Sequence, residues 1–294
     1  MIRVIATADN HLNRYYARLT PAKLSQRRKY LRDGFRAVVD AALAWPAHIV
    51  LIGGDLFDTS DPRNLDRAFV ADCFAQLHAA GITVCAVGGN HDTPRQSTEQ
   101  GGYAPLDIYS NLGALTYFQD ATRIGSITRE IEGITVAVGG LTPNPAWEAG
   151  IDPLAALAWH PQGADTSIFL SHGQIEGLVL PDNAGPVFTK ATLREQTDAD
   201  LIVLGDIHHS QQVKLGDGRL VAIPGATERM DFGDADDVPG YLRLTFTPAT
   251  RWQAERITIP SQPRQSLAIH VSELPADDAA VPAYLIQRVQ HVAD

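Results

Sequence analysis

The sequence predicts an α/β fold in which two packed mixed β-sheets are flanked by helices, followed by the start of a small α/β unit. Three observations carry this. Short β-branched runs alternate with helical patterns over residues 1–90. From about Leu115 the texture changes to closely spaced short strands with little helical pattern between them. A proline-bounded stretch, Pro260–Pro263, then precedes one last strand-and-helix pattern.

Ile2–Ala6 reads as a buried strand. After Pro21, the spacing of Leu24, Leu31, Phe35, Val38 and Val39 is helical and ends near Trp45-Pro46. Ile49–Ile52 is a second strand. Asp61-Pro62 opens a helix whose Leu65, Phe69, Cys73 and Leu77 are expected on one face. Gly81 ends it, and Ile82–Val87 is a third strand. That β-α-β-α-β order implies parallel strands with right-handed crossovers. The runs Ile124–Ile131, Ile134–Val138, Ile168–Leu170, Leu201–Leu204, Gln211–Leu215 and Leu220–Ile223 supply the second sheet. Tyr241–Thr247 and Trp252–Ile259 form a closing hairpin. A strand at Leu267–Val271 and a helix carrying Leu285, Val289 and Val292 begin the small unit, giving expected domains of 1–260 and 261–294. The last helix reaches Asp294 without a stop signal, which reads as a chain cut inside a domain.

At 294 residues there is room for a large domain with an appendage, and 45% hydrophobic with 20% charged residues excludes wholesale disorder. No apolar run approaches the ~18 residues of a membrane span. The N-terminal MIRVIATADNHLN has no signal-peptide h-region. Two cysteines, Cys73 and Cys85, make no disulfide framework and suit a cytoplasmic protein with buried, reduced thiols. A net charge of −10 argues against coating nucleic acid by bulk electrostatics. The charge is uneven, however. Arg14, Arg18, Lys23, Arg27, Arg28, Lys29, Arg32 and Arg36 stand against Asp33 alone between residues 14 and 36. That segment is either a solvated helix face or a local track for phosphates.

Chemistry-bearing residues collect where the predicted strands end, the edge at which open α/β sheets bind ligands. The first strand runs into Asp9-Asn10-His11, the second into Gly54-Asp55, and the third into Gly89-Asn90-His91-Asp92. In the second half, Ser171-His172-Gly173 and Gly205-Asp206-Ile207-His208-His209 follow two more strands. Each group alone is weak evidence, but five in succession on one edge are specific. Gly54 and Gly89 permit the tight turns a packed ion site needs. Mixed oxygen and nitrogen donors without thiolate suit a pair of hard or borderline divalent ions, such as Mn²⁺, and not structural zinc.

The ordered set Asp9-x-His11, Gly54-Asp55, Gly89-Asn90-His91-Asp92, His172 and Gly205-x-x-His208 resembles the calcineurin-like metallophosphoesterases. The stretch from Ile223 through Pro224-Gly225-Ala226-Thr227-Glu228-Arg229-Met230-Asp231-Phe232-Gly233-Asp234 resembles one branch. That branch is the SbcD, or meiotic-recombination-eleven, type of DNA double-strand-break repair nuclease. The resemblance covers roughly residues 1–260 and implies a four-layer metallophosphoesterase sandwich, with 261–294 similar to the start of a DNA-binding cap. It implies two divalent ions, Mn²⁺ first and Mg²⁺ second, with Asp9, His11 and His208 on one ion and Asn90, His172 and Asp206 on the other. Asp55 bridges them, and His91 acts as the catalytic residue that steadies the transition state and assists the leaving oxygen.

The implied activity is 3′→5′ exonuclease on duplex ends and endonuclease on single strands. Arg14, Arg18, Arg27, Arg28 and Lys29 become candidate phosphate contacts on DNA. A homodimer through the helices after the second and third motifs is implied too, with Val70 and Phe74 expected off the buried face of residues 62–80. So is a partnership of the full-length protein with an SbcC-type, SMC-like ATPase, whose binding helices this chain lacks. No membrane partner is expected. Two other readings fit the metal motifs: a phosphodiesterase or phosphomonoesterase acting on a small nucleotide, and a non-catalytic scaffold.

One position departs from the family pattern. Where the family has Gly-His-x-His, this sequence has Asp206. A carboxylate is shorter than imidazole and adds negative charge, which favours Mn²⁺ or Mg²⁺ over softer ions. Ligation through a water is the alternative at this position.

Overall fold

A computed structural model describes residues 1–96, 98–178, 185–231, 233, 237–264 and 267–293. Two compact units emerge, Met1–Ser261 and Gln262–Asp294. The first unit opens with β1 (Ile2–Thr7), α1 (Pro21–Ala44), β2 (Ile49–Gly53), α2 (Asn64–Ala79) and β3 (Thr83–Val87). A short helix α3 (Pro105–Asn111) and β4 (Thr116–Tyr117) follow, then β5 (Gly125–Ile131), β6 (Ile134–Leu141) and β7 (Thr166–His172). After the small ladder of β8 (Gln174–Ile175) and β9 (Val187–Phe188) come α4 (Lys190–Glu195) and β10 (Leu201–Gly205). The unit ends with β11 (Gln211–Lys214), β12 (Leu220–Ile223), β13 (Gly240–Thr247) and β14 (Arg251–Thr258).

The strands form two six-stranded sheets, ordered β14-β13-β1-β2-β3-β4 and β11-β12-β10-β7-β6-β5. β1 to β4 are mutually parallel, as are β6, β7, β10 and β12, while β13 pairs antiparallel with both β1 and the edge strand β14, and β5 and β11 pair antiparallel at the edges of the second sheet. The β13–β14 hairpin therefore extends the first sheet beyond β1, with Ile2 opposite Phe246. In-register parallel pairing brings the functional ends level: Thr7 lies opposite Ile52, Gly53 opposite Val87, and Gly205 opposite His172.

Strand alternation divides the core. Val4, Ala6, Ile49, Leu51, Cys85 and Val87 meet Val138, Ile168, Leu170 and Val203 between the sheets. Their neighbours Ile5, Val50, Ile52, Val84 and Ala86 face Leu31, Phe35 and Val38 of α1 and Phe74 and Leu77 of α2. The outer face of the second sheet is covered by Leu154, Trp159, Phe188 and Leu193. Burial pushes the Cys73 and Cys85 thiols up to about 12, so both are inert packing residues.

Local chemistry sets the helix ends. Thr20 caps α1 and Pro21 occupies its first turn. Gly81, at φ +73°, ends the chain segment after α2 in a conformation other residues resist. Gly34 lets α1 approach the Thr227 carbonyl, which a Cβ would meet at 2.7 Å.

Three expectations are corrected. The buried face of α2 is Val70, Cys73, Phe74 and Leu77, with Leu65 54% exposed. An i, i+4 series drifts by about 40° per step, whereas i, i+3, i+4, i+7 closes on one stripe. Val70 and Phe74 are core residues, so they do not form a separate face. Residues 267–270 form no strand, and Val271–Glu273 is a 3₁₀ turn. The second unit is carried by α5 (Val281–Ala293), whose Arg288 bonds Glu273 and the Tyr284 hydroxyl at 2.8 and 2.7 Å. No described helix is long and apolar enough to cross a membrane.

Candidate metal centre

His172 ends β7, and the other functional side chains sit one to five residues beyond a parallel strand, where the ladder stops and the backbone can turn. The turns are strained. Among the described residues, eight other than glycine have positive φ, and Asp9, His11, Asp55 and Asp206 are four of them. Such conformations cost on the order of 1–3 kcal/mol each and persist where the surroundings enforce them.

The carboxylates and imidazoles converge. Asp55 accepts the His91 amide on Oδ1 at 2.9 Å. Its Oδ2 stands 3.7 Å from Nε2 of both His11 and His172, midway between two sets of donors. His11 Nδ1 bonds Asp58 at 2.9 Å, which directs the lone pair of Nε2 into the site. His172 Nδ1 bonds the Gly53 carbonyl at 2.8 Å and likewise turns Nε2 inward, 3.2 Å from Asn90 Oδ1 and 3.7 Å from Asp206 Oδ1. The Asp206 amide donates to both oxygens of Asp9, at 3.1 and 3.2 Å. The rings of His91 and His208 lie edge-on to His11, with centroids 4.8 and 5.2 Å away.

Ligand-capable atoms within 4.8 Å of one another occur as Asp9–His11–His208, as Asp9–Asp55–His172 and as His11–Asp58–His91. Glycine makes the convergence possible. A Cβ on Gly89 would lie 2.1 Å from Asp55 Oδ1, and one on Gly54 would lie 2.5 Å from His172 Nδ1.

The electrostatics fit a missing cation. His11 Nε2 and Asp206 Oδ2 are buried without a hydrogen-bond partner among the described residues, a costly state for polar atoms. Among those residues no Lys or Arg pairs with Asp9, Asp55 or Asp206. Burial raises the Asp9 carboxyl above its ordinary value, against the pull of His172 and His208. Burial also acts to raise Asp55, but the His172, His11 and His91 imidazoles more than reverse it. At His172 burial favours the neutral ring, yet Asp55, Asp206 and Asp9 lift it to about 9. A proton on His172 thus stands in for positive charge. Oxygen and nitrogen donors without thiolate suit divalent ions, and Asp9, His11, Asp55, Asn90, His172, Asp206 and His208 are all within this cluster.

His91 stands at the rim with its side chain 40% exposed, and burial holds its imidazole below the ordinary value against Asp55 and Asp58. One residue, Asp58, escaped notice in the sequence, and Asp92 was named there without a role. Asp58 bonds His11 and Arg14 and lies 3.8 Å from His91 Nδ1. Asp92 accepts the Gly89 and Phe57 amides at 2.8 and 3.3 Å, tying two motif turns together. The available signal for Asp58 was chemical: a ligating histidine needs an acceptor on its other nitrogen.

The basic residues part company. Arg14 reaches the site through Asp58 at 3.0 Å, Arg18 is exposed, and Lys29 is exposed beside Asp33. Arg27 and Arg28 are buried instead. Arg27 lies 3.3 Å from the equally buried Glu228 and donates to the Arg229 carbonyl. Arg28 donates to the carbonyls of Arg14 and Asn13 at 3.1 Å. Arg28 thereby braces the loop after β1, and Arg27 touches the same loop through the Tyr16 ring, 5.4 Å away, so neither is turned toward solvent.

The 224–231 segment supports the centre from below. Thr227 accepts the Asn10 amide at 3.0 Å, and Ala226 donates to the His208 carbonyl at 2.8 Å. Phe232 and Asp234 of the same motif lie outside the described residues. His209, the last residue of the Gly205–His209 turn, bonds Asp237 at the surface.

Comparison with known proteins places this geometry. The family described as calcineurin-like phosphoesterase matches residues 2–210. The DNA double-strand break repair protein Mre11 of Haloferax volcanii is 32% identical over 249 residues, covering 84% of this chain and 50% of that protein. The proteins of the same name from Thermoplasma acidophilum and Saccharolobus solfataricus are 24% and 25% identical, covering 80% and 83% of this chain and 58% of each relative. The chain therefore spans about half the length of the curated relatives it matches. Among solved structures, a dimetal phosphatase from Danio rerio shares the fold at a TM-score of 0.53 and 11% identity, over 87% of this chain and 95% of that one.

Proposed function

Since this chain belongs to the calcineurin-like phosphoesterase family, we propose that it is a two-metal phosphodiesterase acting on DNA, a double-strand-break repair nuclease subunit. The observation that carries the reading is the buried cluster of inward-facing imidazole and carboxylate atoms left unneutralised by Lys or Arg. The likeness to proteins named for DNA double-strand break repair supports DNA as the substrate.

Asp9, His11 and His208 would hold one divalent ion, Asn90, His172 and Asp206 the other, with Asp55 between them. The equal 3.7 Å reach of Asp55 Oδ2 to both imidazoles supports the bridging role. Bound divalent ions supply Lewis acidity toward the phosphate and acidify water at neutral pH. Mn²⁺ is the first choice and Mg²⁺ the second, because the donor set is rich in hard oxygens.

The remaining work belongs to the chain's own residues. Asp58 fixes the His11 tautomer and holds Arg14 where its guanidinium can receive a phosphate oxygen. His91 faces Asp58 with Nδ1, leaving Nε2–H to donate to charge developing on the departing 3′-oxygen. With Nδ1–H turned to Asp58, an Nε2–H exists only on the imidazolium, and because burial holds this imidazole below its ordinary value the cation readily gives that proton to the leaving oxygen. Exonuclease action on duplex ends, single-strand endonuclease action and a cap role for residues 261–294 belong to the same proposal. So do a cytoplasmic location, a homodimer and an SbcC-type ATPase partner. Leu65 of α2, and Ile108 and Leu112 at α3, are exposed apolar side chains that support a paired surface.

The test is cleavage of 3′- and 5′-labelled duplex and single-stranded DNA, beside bis-p-nitrophenyl phosphate, in Mn²⁺, Mg²⁺ or EDTA. Metal-dependent DNA cleavage that falls about 10²-fold or more in His91→Ala is expected. Turnover of the small diester without DNA cleavage would move the enzyme to small nucleotides. Inactivity on both would leave the scaffold reading.

A further inference from the structure

A separate cavity begins at Thr93, two residues beyond His91. It measures about 450 Å³ and is lined by Thr93, Arg95, Tyr103, Gln119, Thr142 and Asn144, among others. This lies within the ~300–1,000 Å³ of small-ligand sites. Its wall is continuous with the His91 turn: the Thr93 amide donates to the Gly89 carbonyl at 3.2 Å, and the Gly88 amide donates to Thr142 Oγ1 at 2.8 Å. A group held in the cavity is thus fixed relative to the 88–93 turn that carries His91.

The lining has the chemistry of a nucleobase site. Tyr103 offers a ring with 64% exposure, an aromatic face that no described ring covers. Base-on-aromatic stacking needs such a face and tolerates every base. Among the described residues the Gln119 side-chain amide makes no hydrogen bond, and the Arg95 guanidinium lies in the field of the Glu99 carboxylate without a hydrogen bond to it. Asn144 uses only Oδ1, accepting from the Ala146 amide at 2.9 Å, so its NH₂ group stays available. Amides in this setting can address the edge of a base, and a guanidinium can take a backbone phosphate. The cavity's carboxylate, Asp107, is engaged by the Ala104 amide at 2.7 Å.

We propose that this cavity receives the unstacked nucleobase next to the scissile phosphate, on the leaving-oxygen side, with Tyr103 as the stacking platform. The inference rests on the DNA reading above and adds a specificity element to it. Because the base has to leave its stack to enter, the site favours single strands and frayed ends over intact duplex. A single-strand preference follows with no further part.

The experiment uses short single strands with 2-aminopurine placed at each position in turn, bound in Ca²⁺, which stands in for Mn²⁺. Metal-dependent cleavage of the unmodified strand is measured in parallel. Quenching at one position is expected, lost in Tyr103→Ala together with roughly tenfold in affinity, and retained in Tyr103→Phe. If the strand is bound and cleaved but quenching is position-independent, or survives in Tyr103→Ala, the cavity assignment falls while the DNA reading stands. If the strand is neither bound nor cleaved, both fall.

Discussion

Replacing Arg27 with alanine decides whether the basic segment of α1 meets DNA or holds the protein together. The guanidinium and the Glu228 carboxylate are 3.3 Å apart, with side chains 6% and 1% exposed. At that separation their gross attraction is ~5 kcal/mol for an effective dielectric of about 20, much of it offset by desolvation. Removing Arg27 takes a guanidinium from the buried Glu228, which keeps the Arg229 amide at 2.8 Å, and breaking a buried pair in this way costs up to about 3–5 kcal/mol. At about 2–4 °C per kcal/mol for a domain of this size, the melting temperature falls by on the order of 10 °C. Replacing both with methionine should recover most of that loss, since apolar groups of similar volume need no partner. Urea melts followed by circular dichroism measure the stability. Anisotropy of a labelled duplex against salt measures the phosphate contacts, because each contributes about 0.9 to the slope of log K against log salt. The expected result is a destabilised variant with an unchanged slope. A fully stable Arg27→Ala protein whose slope drops by about one would refute this reasoning.

Three further outcomes follow from the centre itself. Asp58→Ala should keep the fold yet lower Mn²⁺ affinity roughly 10–100-fold, with Asp58→Asn between it and wild type; equal affinities by calorimetry would remove the positioning role. In the metal-free protein His172 sits at about 9, above its ordinary 6.5. Its stabilising contribution is therefore complete below the unfolded value and disappears as pH rises through about 9. A cation must displace that proton, so Mn²⁺ affinity should climb with pH over the same window, with protons released in calorimetry across buffers; a flat profile counts against His172 as a ligand. Asp206→His lengthens the donor and removes a negative charge, so competition experiments should show a shift from Mn²⁺ and Mg²⁺ toward Co²⁺ and Zn²⁺. Unchanged preference would place Asp206 behind a water.

The parallel first three strands, the presence of a second sheet and the five motif turns were legible because strand period, glycine and strand-end chemistry are all local signals. Pairing β13 to β1 was not, since the partners of Ile2 and Val4 are Phe246 and Leu244, at the far end of the chain. The buried face of α2 was misread because a run of apolar residues every four positions looks like a stripe while it winds around the helix. At 267–270 the apolar spacing was real, but no strand among the described residues pairs with it.

The basic segment shows most clearly what sequence cannot carry. Arg14, Arg18, Arg27, Arg28 and Lys29 are alike as charges, and only packing separates them. Arg28 turns inward because two loop carbonyls, those of Asn13 and Arg14, need donors. Arg27 turns inward because Glu228, brought up by the segment that carries Thr227 to Asn10, needs a cation. The same inward pair fixes the loop that delivers Arg14 to Asp58, and Asp58 orients His11. The two buried arginines therefore bear on phosphate chemistry through the placement of a third, so charge-neutral packing at 27 and 228 should preserve Arg14's contact while single substitutions disturb it.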